Sequence, residues 1–395
     1  MITSITHNEI QTLSNALAEP AWLFDKRMSV FDQSAVSQLG DQSYGIGLQA
    51  RYSSSLFADG DFSVSGALVS CDEAKVYHFD SAIKEKKLAQ LVSRYMFMRP
   101  KEIVAKSFSS VTGAAFTDGY LVMIPQADKE FELIITSQEE YAMTYCLVVL
   151  PPSATVNVRE TIHAPKTHSV IIEYVVSESA RLSLIAFEDA KADHALCIHR
   201  TILAAKNANA SVTIATRGEG VVSSTTCGYA LDKDASIIIH NAIHATARAM
   251  FDIVTSVVHE TAHTHSKLFA REVLADVAHV LHRGNIIMSP LAQGSDGYQK
   301  QEALLLSPRA RYNPVPNLDI ATHDVTCSHG VSATKLSDMM SFYGMSRGLT
   351  CEQIQALYID SYFDEALSLI TPQQQFEVKE FLLGLQTQEA YDPQH

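Results

Sequence analysis

The stretch that decides the fold begins at Ser153-Ala-Thr-Val-Asn-Val158 and returns three times along the middle of the chain. The later copies are Ser179-Ala-Arg-Leu-Ser-Leu184, Asn209-Ala-Ser-Val-Thr-Ile214 and Asp234-Ala-Ser-Ile-Ile-Ile239. Each copy joins a small or polar residue and an alanine to a short β-type run, which favours a strand. The alanines, at positions 154, 180, 210 and 235, are 26, 30 and 25 residues apart. Repeats of this length predict stacked units, none of which can bury its apolar face alone.

Strand-only repeats of this length predict a β-solenoid, whose coils stack around one long core. The alternative is an ordinary β-sandwich with irregular hairpins. The two-residue signals of tight hairpins are scarce, since the chain has no Asn-Gly pair and only three Asp-Gly pairs, at 59–60, 118–119 and 296–297. This shortage favours the solenoid.

The pattern divides the chain into three predicted domains: an N-terminal helix-containing domain over residues 1–95, the solenoid core over 96–330 and a C-terminal helical domain over 331–395. In the first, Ile10, Leu13 and Leu17 recur at helical spacing, and a second helix is expected near residues 81–95. In the last, Ser337 and Thr350 can cap helices and Gly348 can end one. Pro372 stands where the final helix would begin.

The C-terminal helices should bury one face and leave a strongly acidic one. We expect the buried face of the helix after Thr350 to include Ile354, Leu357, Tyr358 and Leu367, and the last helix contains the apolar residues Phe376, Phe381, Leu382 and Leu385. From Cys351 to the end the chain has eight acidic residues and a single lysine, Lys379. These acids form either a solvated helical face or a docking surface for a basic partner.

Composition narrows the class of protein. The chain has 395 residues and a formal net charge of −14, without a basic cluster, which argues against binding nucleic acid. No run approaches the ~18 apolar residues of a membrane span, and the start lacks the pattern of a signal peptide. The six scattered cysteines form no CxxC pair and are typical of reduced cytosolic thiols. We therefore predict a cytoplasmic protein, bound neither to membrane nor to nucleic acid.

One motif could indicate an enzyme. His259-Glu260-Thr261-Ala262-His263 matches the HExxH signature of zinc peptidases, in which a helix brings both imidazoles to one metal ion. The residues before it are largely β-branched and predict a strand. Positions i and i+4 of a strand are about 13 Å apart, at ~3.3 Å per residue, which is too far for two ligands of one zinc ion. A zinc hydrolase therefore stays an alternative hypothesis only.

Other enzyme signatures are absent from the sequence. The chain has no Gly-Lys dipeptide and hence no P-loop, no G-x-G-x-x-G dinucleotide fingerprint and no G-x-S-x-G nucleophile elbow. We expect neither a nucleotide site nor an intrinsic catalytic activity in this chain.

A block near the end of the predicted core resembles a known family. It reads Asn317-Leu-Asp-Ile-Ala-Thr-His-Asp-Val-Thr-Cys327-Ser-His329-Gly330 and is similar to the SufD-type pattern L-x-I-x-x-D-D-V-x-C-S-H-G-A-T. His323 replaces the first Asp, and Val331-Ser332 replaces Ala-Thr. Further similar blocks are residues 284–307, the run Phe342-Tyr-Gly-Met-Ser-Arg-Gly-Leu349, and Glu19-Pro-Ala-Trp22 with Arg27. The chain thus resembles the SufB/SufD family of iron–sulfur cluster assembly scaffolds, nearer its SufD branch.

The resemblance implies a fold and a set of partners. The fold is a right-handed parallel β-helix with helical ends, in agreement with the repeats. The partners are an ABC-type ATPase of the SufC kind and a SufB-type scaffold, with a second copy of this chain as the alternative. ATP would be hydrolysed by the ATPase partner. The segment 337–341 departs from the acidic pattern usual in the family.

The resemblance also points to candidate site residues. Cys327 and His329 are candidate ligands for iron or a transient iron–sulfur cluster at an interface shared with the partner scaffold. Thiolate and imidazole both bind iron, and positions i and i+2 of a strand project to the same face. The ATPase would dock on the C-terminal helices through residues Phe342, Tyr343, Arg347, Gly348, Ile354 and Tyr358. A metal-free solenoid that serves only as an interaction protein is the second alternative.

Overall fold

The computed structural model describes residues 67–71, 74–99, 118–125, 129–137, 141–163, 167–336 and 338–384. The helix predicted around Ile10, the Glu19-Pro20-Ala21-Trp22 segment, and residues Ser337 and Leu385 lie outside them. Within them, the odd-numbered strands are β3 Asp118–Met123, β5 Tyr141–Leu150, β7 Thr167–Val176, β9 Ala195–Ala204, β11 Val221–Ala230, β13 Met250–His259, β15 His279–Met288 and β17 Arg311–Ile320. The even-numbered strands are β4 Lys129–Ser137, β6 Thr155–His163, β8 Arg181–Ala190, β10 Asn209–Gly218, β12 Ser236–Ala245, β14 His265–Leu274, β16 Ser295–Leu305 and β18 Val325–Lys335. The remaining elements are strands β1 Ala67–Cys71 and β2 Lys75–His78 and helices α1 Phe79–Ala82, α2 Lys86–Tyr95, α3 Asp338–Ser346, α4 Cys351–Phe363 and α5 Pro372–Leu383.

The chain passes back and forth between two parallel sheets. Strands β4 to β18 with even numbers form one sheet, the even sheet, and β3 to β17 with odd numbers form the other, the odd sheet. Each strand pairs in parallel with the strand two places further along, so one odd and one even strand make a coil. At the N-terminal end β1 and β2 close the two sheets with antiparallel pairs. The predicted parallel β-solenoid is confirmed.

The corners between odd and even strands explain the repeat in the sequence. Ser153, Ser179, Asn207 and Asp234 all have φ between 54° and 61°. In each case the next residue is a buried alanine immediately before the even strand: Ala154, Ala180, Ala208 and Ala235. Small polar residues tolerate the left-handed backbone of such a corner, and alanine fits the tight space inside it. The repeat is thus a corner signal as much as a strand signal.

The register corrects one member of the repeat. Asn209 pairs with Arg181 on one side and with Ser236 on the other, so Ala208 is the residue aligned with Ala180 and Ala235. Ala210, which the sequence placed in that role, lies two residues further along β10. The corrected spacings from 154 to 235 are 26, 28 and 27 residues.

Apolar side chains from both sheets fill the interior, but one buried ionic cluster interrupts them. Arg200 binds Glu160 and lies 3.2 Å from Glu188, and none of these three side chains is exposed. Tyr174 donates a hydrogen bond of 2.6 Å to Glu160. Burial alone would lower the pKa of Arg200, but the carboxylates of Glu160 and Glu188 raise it above its ordinary value. The guanidinium therefore stays charged and satisfied at the centre of the core.

Helices from the two ends of the chain cover opposite outer faces. α1 and α2 pack Phe79, Leu88 and Val92 on the odd sheet. α4, α5 and the turn between them pack Phe363, Leu367 and Leu382 against Phe187 and Phe269 on the even sheet. The expected helix near residues 81–95 is therefore present, as two shorter helices. The domain division at 95 and 330 stays a prediction, with β1 and β2 before its first boundary and β18 crossing its second.

The C-terminal helices begin where the sequence predicts. Thr350 and Thr371 each form a capping box, with Gln353 and Gln374 respectively. Gly348 has φ +86°, as expected of a residue that ends a helix. Ile354, Leu367 and Leu382 are buried, whereas Leu357 and Phe376 are 59% and 62% exposed. The expectation that Leu357 lies on the buried face is therefore wrong, because that side of α4 faces away from the sheet.

The acidic residues of these helices are largely engaged within the chain. Glu365 pairs with Arg271, and Glu377 pairs with Arg159. Lys379 lies 3.0 Å from Asp360 and 2.6 Å from Asp364. These ion pairs fasten α4 and α5 to each other and to the even sheet, so four of the acids in the described C-terminal residues have a basic partner within the chain.

Candidate functional site

The C-terminal end of the solenoid is an open coil. β17 and β18 are the last strands of their sheets, and within the described residues each pairs on one side only. Along β17 exposed residues alternate with partly buried ones, among them Tyr312 and Leu318, which rest on the core. In the preceding coils the equivalent side chains are buried. The end of the core and two strand edges thus remain uncovered by any described part of the chain.

Cys327 and His329 lie in this open coil. Both are on β18, where Cys327 pairs in register with Gly297 and His329 with Gln299. Gln299 is fully buried in the core, so the strand pleat directs Cys327 and His329 to the same, inward side of the sheet. Because no described coil covers this side, His329 is exposed and Cys327 is half-buried. The register of β18 thus places Cys327 and His329 on the same face of the strand, as predicted.

The surroundings keep the Cys327 thiol protonated. Burial, followed by the negative charge of Asp296, raises its pKa above the ordinary value of a thiol. Only the thiolate binds iron strongly, so binding must displace a proton from this residue. His329 makes no hydrogen bond to any described residue, and its imidazole is free to bind a ligand. The pair supplies two donors, and among the described residues no three His, Cys, Asp or Glu side chains are placed to hold a metal ion.

A polar groove lies beside this coil. It has a volume of about 500 Å³ and is lined among others by His263, His265, Asp296, His323 and Asp324. His265 pairs with Asp296 across the neighbouring strand. His323, one of the residues at which this chain departs from the pattern quoted above, thus contributes to the wall of the groove next to the open coil.

The HExxH motif has a structural explanation. His259 ends β13 and is buried, with Nδ1 2.7 Å from the Thr264 hydroxyl and Nε2 2.8 Å from the Ser266 hydroxyl. Glu260 forms a bidentate ion pair with Arg99. His263 lies in the following corner at φ +58°. Both nitrogens of His259 and the Glu260 carboxylate are engaged, and the required helix is absent here, so the motif does not form a zinc-peptidase site.

Two of the predicted partner-binding residues, Phe342 and Tyr343, lie at an exposed end of the C-terminal helices. Phe342 is 70% and Tyr343 58% exposed, beside the exposed methionines 339, 340 and 345. Arg347 stacks over the ring of Tyr343 at 5.1 Å. Ile354 is buried, and a side chain at Gly344 would collide with it at 2.5 Å. Ile354 therefore holds α3 close against α4, Tyr358 is only partly exposed, and the outward face of α3 carries the free apolar surface.

Polar residues inside the last coils were missed by the sequence reading. Gln299 and Gln301 are buried on β16, between the apolar residues expected of a core strand. The signal was present, since Gly297, Gln299 and Gln301 recur at the period of two that marks one face of a strand. Glutamine carries no strand or core preference by itself, so only the register shows that these side chains point inward.

Among the described residues, no helix has the length and apolarity that crossing a bilayer requires.

Most of the solenoid and part of the C-terminal helices match a known protein family. Residues 133–362, more than half of the chain, match the family model described as SUF system FeS cluster assembly, SufBD core domain.

Similar proteins carry related names. A SufBD-family iron–sulfur cluster assembly protein of Synechocystis is 21% identical over 280 residues, which are 66% of this chain and 58% of that protein. The iron–sulfur cluster assembly protein SufD of Escherichia coli is 24% identical over 181 residues, 46% of this chain and 42% of its own length. The chloroplastic protein ABCI7 of Arabidopsis thaliana is 37% identical over 84 residues, 21% of this chain and 18% of its own. The chain thus spans less than two thirds of the length of these relatives.

Proposed function

This chain belongs to the SufBD family of iron–sulfur cluster assembly proteins, and from that premise we propose that it is a non-enzymatic scaffold subunit. In this role it pairs with a second scaffold at the open coil and helps to build and pass on nascent iron–sulfur clusters there. The observation that carries the proposal is the open coil itself. It presents a thiol and an imidazole on one face, next to two strand edges with unused hydrogen-bonding groups.

The two strand edges suit a second scaffold of the same fold. An exposed strand edge is a template for another strand, and main-chain hydrogen bonds would continue both sheets across the interface. Val315 and Val331, 46% and 42% exposed, would be buried by such a partner. A SufB-type chain is the proposed partner, and a second copy of this chain is the alternative.

Cys327 and His329 provide two of the ligands in this proposal. Tetrahedral iron needs four donors, so the partner scaffold or the cluster's own sulfide would supply the others. A site that is complete only across an interface binds its cargo reversibly, as a scaffold requires. The proton displaced from Cys327 makes cluster binding weaker as the pH falls.

A separate surface is proposed for the ATPase. The outward face of α3, with Phe342, Tyr343 and the Arg347 guanidinium, is apolar and aromatic with one cation, the composition of an interface hot spot. Because the sequence contains no P-loop, ATP hydrolysis is assigned to a partner of the SufC kind. A cytoplasmic location stays a prediction, since one of the relatives is named as chloroplastic.

The proposal is tested by co-expression of the full chain with a SufB-type scaffold and a SufC-type ATPase from the same source. We expect one complex in size exclusion, and an iron–sulfur absorbance after anaerobic reconstitution. His329→Ala should leave the complex intact and lower that absorbance roughly tenfold or more, through loss of a metal ligand. His194→Ala, at the corner between β8 and β9, is the matched control and should change nothing. A complex whose cluster content is unaffected by His329→Ala would contradict the assigned site, and absence of any complex would contradict the scaffold role.

A further inference from the structure

The coils just below the open end contain a second buried polar network. The Asn241 side chain donates a hydrogen bond of 3.1 Å to Thr255, whose hydroxyl is 3.1 Å from Nε2 of His282. The other ring nitrogen of His282 binds Oε1 of Glu272. All four residues are at most 3% exposed. The network runs along the axis of the solenoid towards β16 and β18.

Several polar atoms around this network have no partner among the described residues. They are Oε2 of Glu272, Oε1 of Gln299, Oε1 of Gln301 and the hydroxyl of Tyr312. An unsatisfied buried polar atom costs about 1–3 kcal/mol, so four such atoms on β14, β16 and β17 need an explanation. Burial and the negative charge of Glu272 raise the pKa of Tyr312, which keeps its hydroxyl protonated.

The backbone leaves room at this place. Gly284 lies on β15 opposite the glutamines, and a Cβ there would be 2.4 Å from Oε1 of Gln299 and 2.8 Å from Nε2 of Gln301. A small cavity of about 10 Å³ adjoins Gly284 and is lined by Asn241, Thr255, His282 and Gln301 among others. A space of this size holds about one water molecule when it is polar. Glycine at position 284 is what keeps it open.

We propose that these coils enclose an internal water site, bounded by Gly284, Gln299, Gln301 and the Glu272–His282 pair. The atoms to be satisfied are three acceptor oxygens and a hydroxyl donor. A water molecule can accept from the Tyr312 hydroxyl and donate to two of the three oxygens, whereas a cation would leave the Tyr312 proton without an acceptor. Oε1 of Glu272 is also already bound to Nδ1 of His282.

The proposed water site lies directly next to the strand that carries Cys327 and His329. Gln299 is the in-register neighbour of His329, and Gln301 is that of Val331. The bound water therefore lies one strand below the open coil, inside the wall that carries the proposed ligands. The water site itself does not depend on the proposed function.

The test counts long-lived internal water molecules in the full chain, without metal or partner, by magnetic relaxation dispersion of water nuclei. Gly284→Ala places a methyl group in the site and should remove at least one of them. Gly330→Ala is the matched control on a strand, since its new Cβ would have no neighbour closer than 4.0 Å; it should retain the wild-type number. Equal numbers in wild type and Gly284→Ala would overturn the proposal.

A second variant covers failure of Gly284→Ala to fold. Gln301→Met keeps the volume of the side chain and removes its amide, so it should also lose internal water. A crystal structure of the full chain should then show density hydrogen-bonded to Gln301 and Glu272 in the wild type alone. A dry site in the wild type, with the two glutamine amides bonded to each other, would refute the water site and leave the scaffold proposal untouched.

Discussion

Two buried histidines of this protein, His240 and His259, have lowered pKa values. Burial lowers the pKa of His259 from 6.5 to about 4 and that of His240 also to about 4. Both are therefore neutral in the folded protein at neutral pH. His259 joins two hydroxyls across a corner, and His240 binds the carbonyl of Ala366, which holds the C-terminal helices on the even sheet.

Because both pKa values are lower in the folded protein than in the unfolded chain, acid destabilises the fold. Between pH 6.5 and 4 the unfolded chain binds protons at these histidines and the folded chain does not, so the free energy of unfolding falls as the pH is lowered through this window. Each histidine contributes up to about 3 kcal/mol to the loss. Urea denaturation of wild type and His259→Gln at several pH values should show a shallower pH dependence in the variant. A parallel pair of curves would mean that His259 is not the group concerned.

The same residue shows what sequence reasoning can and cannot reach. The β-branched residues before His259 predicted a strand, and β13 confirms it. The argument that a strand cannot place His259 and His263 on one zinc ion therefore applies to this motif. The partners of the motif could not be predicted. Arg99, which binds Glu260, lies 161 positions away in the chain, and only the fold brings them together.

At the level of elements, the corners carry the most demanding geometry. Gly218 ends β10 with φ +144°, and a Cβ there would lie 2.1 Å from the carbonyl oxygen of Ala190. That oxygen accepts hydrogen bonds from the amides of Glu219 and Gly220, at 2.9 and 3.0 Å. The corner of one coil is thus seated directly on the end of the strand below.

We expect Gly218→Ala to lower the free energy of unfolding by about 3 kcal/mol or more, because the backbone of Ala190 cannot move without breaking both hydrogen bonds. Gly348→Ala is the control for backbone strain alone, since Gly348 has φ +86° and nothing within 4 Å of its Cβ position. It should cost about 1 kcal/mol. Chemical denaturation measures both, and similar losses for the two variants would contradict the steric argument.

Strand character and stacking were predictable from the sequence, and register was not. Asn207-Ala208 and Asn209-Ala210 offer the same local pattern, so nothing local distinguishes the corner from the strand that follows. The choice depends on which alanine aligns with Ala180 below and Ala235 above. That is a property of three coils together, and hence of the assembled sheet.

For the molecule as a whole, two free apolar surfaces lie on different elements. One is the open coil with Val315 and Val331, and the other is the outward face of α3 with Phe342. We expect Val331→Glu to weaken binding of the SufB-type scaffold at least about thirtyfold, as for loss of about 2 kcal/mol at an interface hot spot, because it buries a charge at the joined edge. Binding of the ATPase should be unchanged.

Phe342→Ala should do the reverse, and each variant thereby serves as the control for the other. Both positions are exposed, so neither change should alter the free energy of unfolding. Pull-down of each purified partner with each variant measures the effect. If one variant lost both partners while remaining folded, the two surfaces would not be independent and the assignment would be wrong.

The arrangement of the helices has a consequence for synthesis on the ribosome. Phe187 and Phe269 on the even sheet are covered by α4 and α5, which are the last described elements to be made. Almost two hundred residues separate Phe187 from Leu382. At ~5–20 residues per second, roughly 10–40 s pass between their translation. During that interval the apolar outer face of the nascent even sheet is exposed to solvent. A chaperone or a neighbouring chain can bind it before α4 and α5 are made.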